Sequence, residues 1–413
     1  MKKSQCVLAL AVFFIALFSG LAPVCLAEKI TFYSNRADLV EKGHFARWQK
    51  EFKKIKPRID VEVRVLERYN QEMLARISRG DYGDVLLLPA ELPRFAWPNY
   101  FLALDDLQAE KQLYFNDKWQ YQGRSYALAL GATVDGLIYN KPLFEKHQLA
   151  PPTTRSELLR LAKTLKSQGV TPFALNVAAA WPLQQWEHAA LVIAQEGDYF
   201  SRFSNTGTQA TPFDNQSAYA QALTLARNLF DEGLSEASIT RDYWQQSKAE
   251  FAQGNIAMLY MGSWVLPQLL EQGISLEQVG FVPMPLMENQ GSPVLLSANW
   301  GVAINKNTPN PLSSKAWLRF LLFESDYPEV SGLLPVDKKR ESALAPLQAM
   351  FAHKVSLLLK EDYSPEFLRM ANKVGLDVQA GNSIRNILIN PDFYFSLEVW
   401  KARWQHAQNG SEG

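Results

Sequence analysis

Cysteine is nearly absent from this chain of 413 residues: there are two, Cys6 and Cys25, and both fall within the first 27 positions. The rest of the sequence therefore has no disulfide framework, no cysteine nucleophile and no thiolate metal site. An excess of charge of one sign is also missing. With Lys2 and Lys3 set aside, 40 basic side chains face 42 acidic ones, and that balance denies nucleic acid the basic face it requires. No apolar run of spanning length, about 20 residues, follows residue 27. The five histidines, His44, His147, His188, His353 and His406, lack metal-ligand spacing, so neither a metal nor a cofactor is expected. Nucleophile elbow, zinc-protease helix, dinucleotide fingerprint and phosphate loop are all absent. Paired carboxylates are harder to dismiss, since glycosidase acids lie far apart in sequence. Asp84, Glu91, Asp105, Asp106 and Asp135 sit near expected loops or strand ends and keep a glycan hydrolase open.

The first residues bear on the compartment. MKK is a basic start, CVLALAVFFIALF (Cys6 to Phe18) an apolar core, and CLAEK offers small residues with a cut after Ala27. This is the layout of a removable export signal, which implies a periplasmic protein. A lipid-modified Cys25 is the alternative, disfavoured by Pro23 and Val24 directly before it. Residues 28–413 are enough for two domains. Aromatics make up 12% of the chain, with 11 tryptophans; a core does not need so many, and flat apolar surfaces for a ligand become an expectation.

Strands and helices alternate, so the fold class expected is α/β. KITFYSN (Lys29 to Asn35) reads as a first strand. Phe45, Trp48, Phe52 and Ile55 mark the inner face of a helix that Pro57 stops. DVEVRVL alternates as a half-buried strand does, and DVLLLP reads as a strand buried on both faces. In TTRSELLRLAKTLKSQG, Thr154 and Glu157 suggest a capping box, with Gly169 as the stop. FAQGNIAMLYMGSW places Trp264 where a strand becomes a helix, a turn that in open α/β sheets faces the ligand side. Gly262 there leaves room, and Ser263 is expected to cap the following helix.

Several segments together resemble one family. GLIYNKPLFEKHQLAPPTTRSELLRLAKTLKSQGVTPFAL (Gly136 to Leu175) is similar to a signature of the extracellular solute-binding proteins that serve carbohydrate ABC transporters, the group that includes maltose-binding protein. FAQGNIAMLYMGSW, VGFVPMPLMENQG, WGVAINKNTPN, SSKAWLRFLLF and SGLLPVDKK follow in the family's order. The resemblance spans roughly Lys29 to Lys339. It departs at Arg155, where the family has a Trp, and beyond Glu361.

The resemblance implies a periplasmic-binding-protein fold of type II: two α/β lobes joined by about three crossings, with the ligand in the cleft between them. Matching motifs puts the crossings near Thr133-Val134, Leu296 to Trp300 and Glu324 to Gly332. One lobe is then 28–133 plus 297–326, the other 134–296 plus 327–413. The implied function is capture of a neutral sugar or oligosaccharide by lobe closure and delivery to an ABC permease. The protein would act as a monomer, without catalysis. Presentation of the ligand to a membrane sensor is the main alternative. A pyranose has apolar C–H faces and a hydroxyl rim, so Trp264 and Trp181 are expected as platforms. Trp300 is placed at the cleft or hinge; Tyr33, Asn35, Arg36, Glu91, Thr133 and Asp135 are expected as polar contacts, beside Gly262. Trp97, Trp186, Trp317, Trp400 and Trp404 are assigned to packing.

Overall fold

The computed structural model describes residues 27–204, 209–288, 291–378 and 380–409. The expected signal sequence, apart from Ala27, and both cysteines lie outside the described residues. The first sheet contains β1 (Glu28–Ser34), β2 (Ile59–Val65), β3 (Val85–Leu87), β6 (Leu128–Ala129) and β12 (Gly301–Ile304), in the order β2-β1-β3-β12-β6. Its first three strands are parallel, and β12 runs antiparallel to both β3 and β6. A small hairpin, β4 (Gln120–Tyr121) with β5 (Arg124–Ser125), lies beside it in sequence. The second sheet is built on the nine-residue β7 (Ala132–Asn140), flanked by β9 (Ile256–Gly262) on one edge and by β11 (Val294–Ala298) and β10 (Val279–Val282) on the other. Beyond these lie β8 (Thr171–Ala174), parallel to β9, and β13 (Leu357–Leu359), parallel to β11.

The chain passes between the sheets along a narrow strip where three stretches lie side by side. Leu130 N–H donates to Trp300 O at 3.0 Å, and Asn299 N–H to Gly131 O at 2.9 Å. Ala132 and Leu334 exchange two backbone bonds of 2.9 and 2.8 Å. Past this strip the last stretch still touches the first sheet's side, with Tyr114 donating to Val336 O and Lys338 to Gln112 O.

Both lobes hold their helices through aromatic faces. On the helix His44–Ile55, Phe45, Trp48 and Phe52 are buried while Ile55 is exposed at the frayed end before Pro57. Phe52 meets Trp317 edge-on at 5.2 Å, and Trp317 also reaches Phe32 of β1. Each such aromatic contributes about 1.5–3 kcal/mol by leaving water. Trp317 sits on the helix Pro311–Arg319, which continues into a π turn, Phe320–Glu324. The helix Arg155–Ser167 begins as its sequence suggests, with Thr154 Oγ1 accepting from Glu157 N–H at 3.2 Å. The capping box is not closed, because the Glu157 carboxylate reaches Thr153 instead of the Thr154 backbone. Arg155, the departure from the family pattern, pairs at the surface with Glu288 at 3.2 Å.

The second lobe's core encloses several acids, of which Glu187 is the most buried. Glu187, on the helix Gln185–Ala194, is 1% exposed; Tyr363 OH donates to its Oε2 at 2.8 Å, and Oε1 has no partner among the described residues. Burial pushes this carboxyl well above its ordinary value and so favours the neutral acid. A group that takes up a proton on folding costs stability as pH rises above about 4.5 towards its native value. Glu187→Gln should therefore raise the melting temperature, and the gain should grow between pH 4 and pH 8, reaching about 1–3 kcal/mol. A gain that is flat across this range, or a loss at pH 8, would show that Glu187 is charged in the native state.

Candidate functional site

β9 ends at Gly262, directly opposite Asp135 of β7, and the chain turns through Ser263–Val265 into the helix Leu266–Leu270. Ser263 does not cap that helix. Its Oγ accepts instead from Val134 N–H at 3.1 Å, because the hydroxyl is buried against the neighbouring strand and a free β7 donor needs it. Gly262 is required on steric grounds: a Cβ there would collide with the Trp264 indole nitrogen and stand 2.7 Å from Thr133 Cγ2. Gly332, with φ +71°, closes the seat from the third crossing, where a Cβ would stand 2.7 Å from both Ser263 O and Trp264 Cα.

So seated, the half-buried Trp264 is held by two further indoles. Trp181 lies 5.8 Å away and Trp244 5.9 Å away, both tilted, and these two meet edge-on at 4.7 Å. Trp181 is 37% exposed and Trp244 only 8%. The outer ring offers a surface and the inner one fixes it. Trp244 was not singled out in the sequence, since RDYWQQSKAEF carries no turn or motif signal; its partnership with Trp181 and Trp264 exists only in space.

Trp264 borders a cavity of about 760 Å3 between the two lobes. Arg36 and Asp38 come from the first lobe, Pro267 and Gln268 from the second, and Val330 and Ser331 from the third crossing. Sites for small ligands commonly measure about 300–1,000 Å3. Arg36 grips Asp38 through Nε and Nη2 at 2.8 and 2.7 Å. Burial alone would raise the Asp38 carboxyl, but the Arg36 hydrogen bond and charge outweigh it and hold the group below its ordinary value.

The other expected contacts separate into three groups. Thr133 and Gly262 touch the Trp264 seat, and Asn35, next to Arg36, keeps a buried Oδ1 that has no partner among the described residues. Glu91 is exposed and accepts from Asn70 at 3.2 Å, and Trp300 is half-buried edge-on to Tyr69 at 5.6 Å. These two line the first lobe at the second crossing, away from the Trp264 cavity. Tyr33 and Asp135 are placed otherwise than expected. Tyr33 is 1% exposed, with its ring packed over Gly83 and under Arg76, because both faces of β1 are covered here, Phe32 and Ser34 being buried as well. Asp135 faces the second lobe's interior, where Oδ2 shares a 2.6 Å hydrogen bond with His188 Nδ1.

Ion pairs bridge the lobes at their edges. Lys42 pairs with Glu271 beside the cavity, and elsewhere Asp362 meets Lys118 at 2.5 Å and Arg94 at 3.5 Å. With Asp362 58% exposed, each pair is worth no more than about 1 kcal/mol. Among the described residues no helix is long and apolar enough to cross a membrane, and no cluster of His, Cys, Asp and Glu could hold a metal ion.

A family model described as bacterial extracellular solute-binding protein matches residues 38–326. The chain belongs to that family. This solute-binding protein is 23% identical over 316 residues to the multiple sugar-binding protein of Streptococcus mutans, covering 73% of this chain and 74% of that one. It is 22% identical over 338 residues to the melibiose/raffinose/stachyose-binding protein of Bacillus subtilis, covering 75% and 76%. Its two-lobed α/β fold is also that of a mannobiose-bound binding protein of an ABC transporter from Bifidobacterium animalis subsp. lactis. There the TM-score is 0.76 at 21% identity, over 93% of this chain and 95% of that one. The apo form of RafE from Streptococcus pneumoniae gives 0.74 at 18%, over 92% and 98%.

Gly332→Ala should test whether the third crossing holds the platform. The strained backbone and the contact with Trp264 Cα should cost about 1–3 kcal/mol of stability and change the tryptophan fluorescence of the native protein. An unchanged melting temperature and spectrum would show that the seat does not depend on this glycine.

Proposed function

We propose that this protein captures a sugar or short oligosaccharide between its lobes and delivers it to the permease of an ABC importer, without altering it. The observation that carries the reading is the Trp264 platform: an indole held by two others, at the turn where the second lobe faces the first, beside a cavity of ligand size. The names of the relatives agree with this, since the Streptococcus mutans and Bacillus subtilis proteins are sugar-binding and the Bifidobacterium protein holds mannobiose.

On this reading Trp264 and Trp181 stack on pyranose faces, Arg36, Asn35 and Thr133 serve the hydroxyl rim, and Glu91, away from that cavity, meets only a sugar long enough to reach it. Gly262 gives close approach, Trp300 borders the cleft at the hinge, and Tyr33 and Asp135 support the walls. The lobes are 28–133 plus 297–326 and 134–296 plus 327–413, and they close by hinge motion about the crossing strip. The protein works as a periplasmic monomer after cleavage following Ala27, binds no nucleic acid and needs no cofactor.

Titration of residues 28–413 with mono- and oligosaccharides, followed by tryptophan fluorescence and melting temperature, should give saturable shifts with one sugar class, since a ligand bound only to the folded state raises the melting point. Trp264→Ala should then weaken that sugar about tenfold, about 1.4 kcal/mol, with the fold retained. Unchanged affinity would return Trp264 to a packing role. A sugar recovered as cleaved product would make the protein a hydrolase.

A further inference from the structure

The cavity beside Trp264 has charges of both signs on its walls, and nearly all are matched. Asp38 is bound by Arg36 through two hydrogen bonds. Glu271 is bound by Lys42. Glu329 takes both its hydrogen bonds from Arg340 Nη2, at 2.8 Å each. His44 is held below its ordinary value, first by burial and then by the charge of Arg47, so it adds little positive charge at neutral pH.

Lys248 is different. It lies on the helix Trp244–Ala252, is 4% exposed and borders the cavity with Trp264 and Gln268. Its Nζ donates to Gln268 Oε1 at 2.7 Å and stands 4.9 Å from the Trp244 ring centroid. Among the described residues no carboxylate lies within ion-pair distance of it. Glu271 attracts it from farther off, but that acid is committed to Lys42, whose own charge repels Lys248. An ammonium has three donors; one is used here, and an aromatic face satisfies a second only in part. A buried charge without a counter-ion is costly, and burial lowers the Lys248 pKa accordingly.

We propose that the ligand supplies the missing anion: the sugar bound here carries a carboxylate, as a uronate does, with the ring towards Trp264 and the carboxylate on Lys248 Nζ and the neighbouring Gln268. This rests on the sugar-capture reading and narrows its substrate class. A single lysine beside matched pairs suits one negative charge. A phosphate, with a charge of about −1.5 to −2, calls for more donors than this wall offers.

The test is calorimetric titration of residues 28–413 with matched pairs, glucose against glucuronate and galactose against galacturonate, as monosaccharides and within disaccharides. The expected result is that one uronate form binds about tenfold more tightly than its neutral parent. Lys248→Gln should remove that advantage, bringing the ratio of uronate to neutral-parent affinity to about one. Equal or better binding of every neutral parent by the unmodified protein would overturn the inference and leave sugar capture standing; this comparison needs no variant to fold. An advantage that persists in Lys248→Gln would also overturn it. Silence towards both members of every pair would remove the sugar-capture reading, and this inference with it.

Discussion

The hydrogen bond from Val134 N–H to Ser263 Oγ joins the strand that leaves the first lobe to the turn that carries the tryptophan platform. β7 is the central strand of the second sheet and also the first crossing between lobes, so whatever is tied to its start is placed at the junction. Gly262 and Gly332 make the tie possible by removing side chains from the two places where the Trp264 backbone and ring are approached most closely. Trp181 and Trp244 then need only close on a ring whose position is already determined. A lobe-joining strip of backbone bonds at Leu130, Ala132, Asn299 and Leu334 keeps this corner in register with the first sheet.

Charge is handled differently at the edges and in the interior. At the lobe edges, Lys42–Glu271 and Asp362 with Lys118 and Arg94 are partly exposed pairs that bias the lobe arrangement without locking it. That weakness suits a protein that must open again. Elsewhere the solutions differ: Arg36 and the half-exposed Asp38 neutralise each other, burial favours the proton on Glu187, and Asp135 leans on His188. Among the described residues, Lys248 is the lysine or arginine of the cavity wall that meets only an amide and an aromatic face.

Much of the fold could be read along the chain because it depends on neighbours a few residues apart. The spacing of Phe45, Trp48 and Phe52, the Thr154 cap and the glycines closing helices at Gly80, Gly169 and Gly233 are local signals, and each sits where local physics puts it. The site was less legible. Trp264 stood out because it sits on a turn and Trp181 was expected as a second platform, whereas Trp244 and Lys248 lie in an unremarkable helix. Tyr33 and Asp135 are on the expected strands but buried, since both faces of those strands are covered by packed elements. Ser263 faced a choice between two donors, and the free one on β7 is 129 residues away in sequence.

The sequence by itself determined the α/β alternation, the confinement of both cysteines to the first 27 positions and the turn on which Trp264 sits. These follow from composition and from periodicities of two and 3.6 residues, which need no partner beyond the next turn or strand. Tertiary structure alone decided which indoles meet, which strand accepts Ser263 and which cation is left without a counter-ion. Pairing of that kind depends on distances between segments far apart in the chain, and no local preference encodes it.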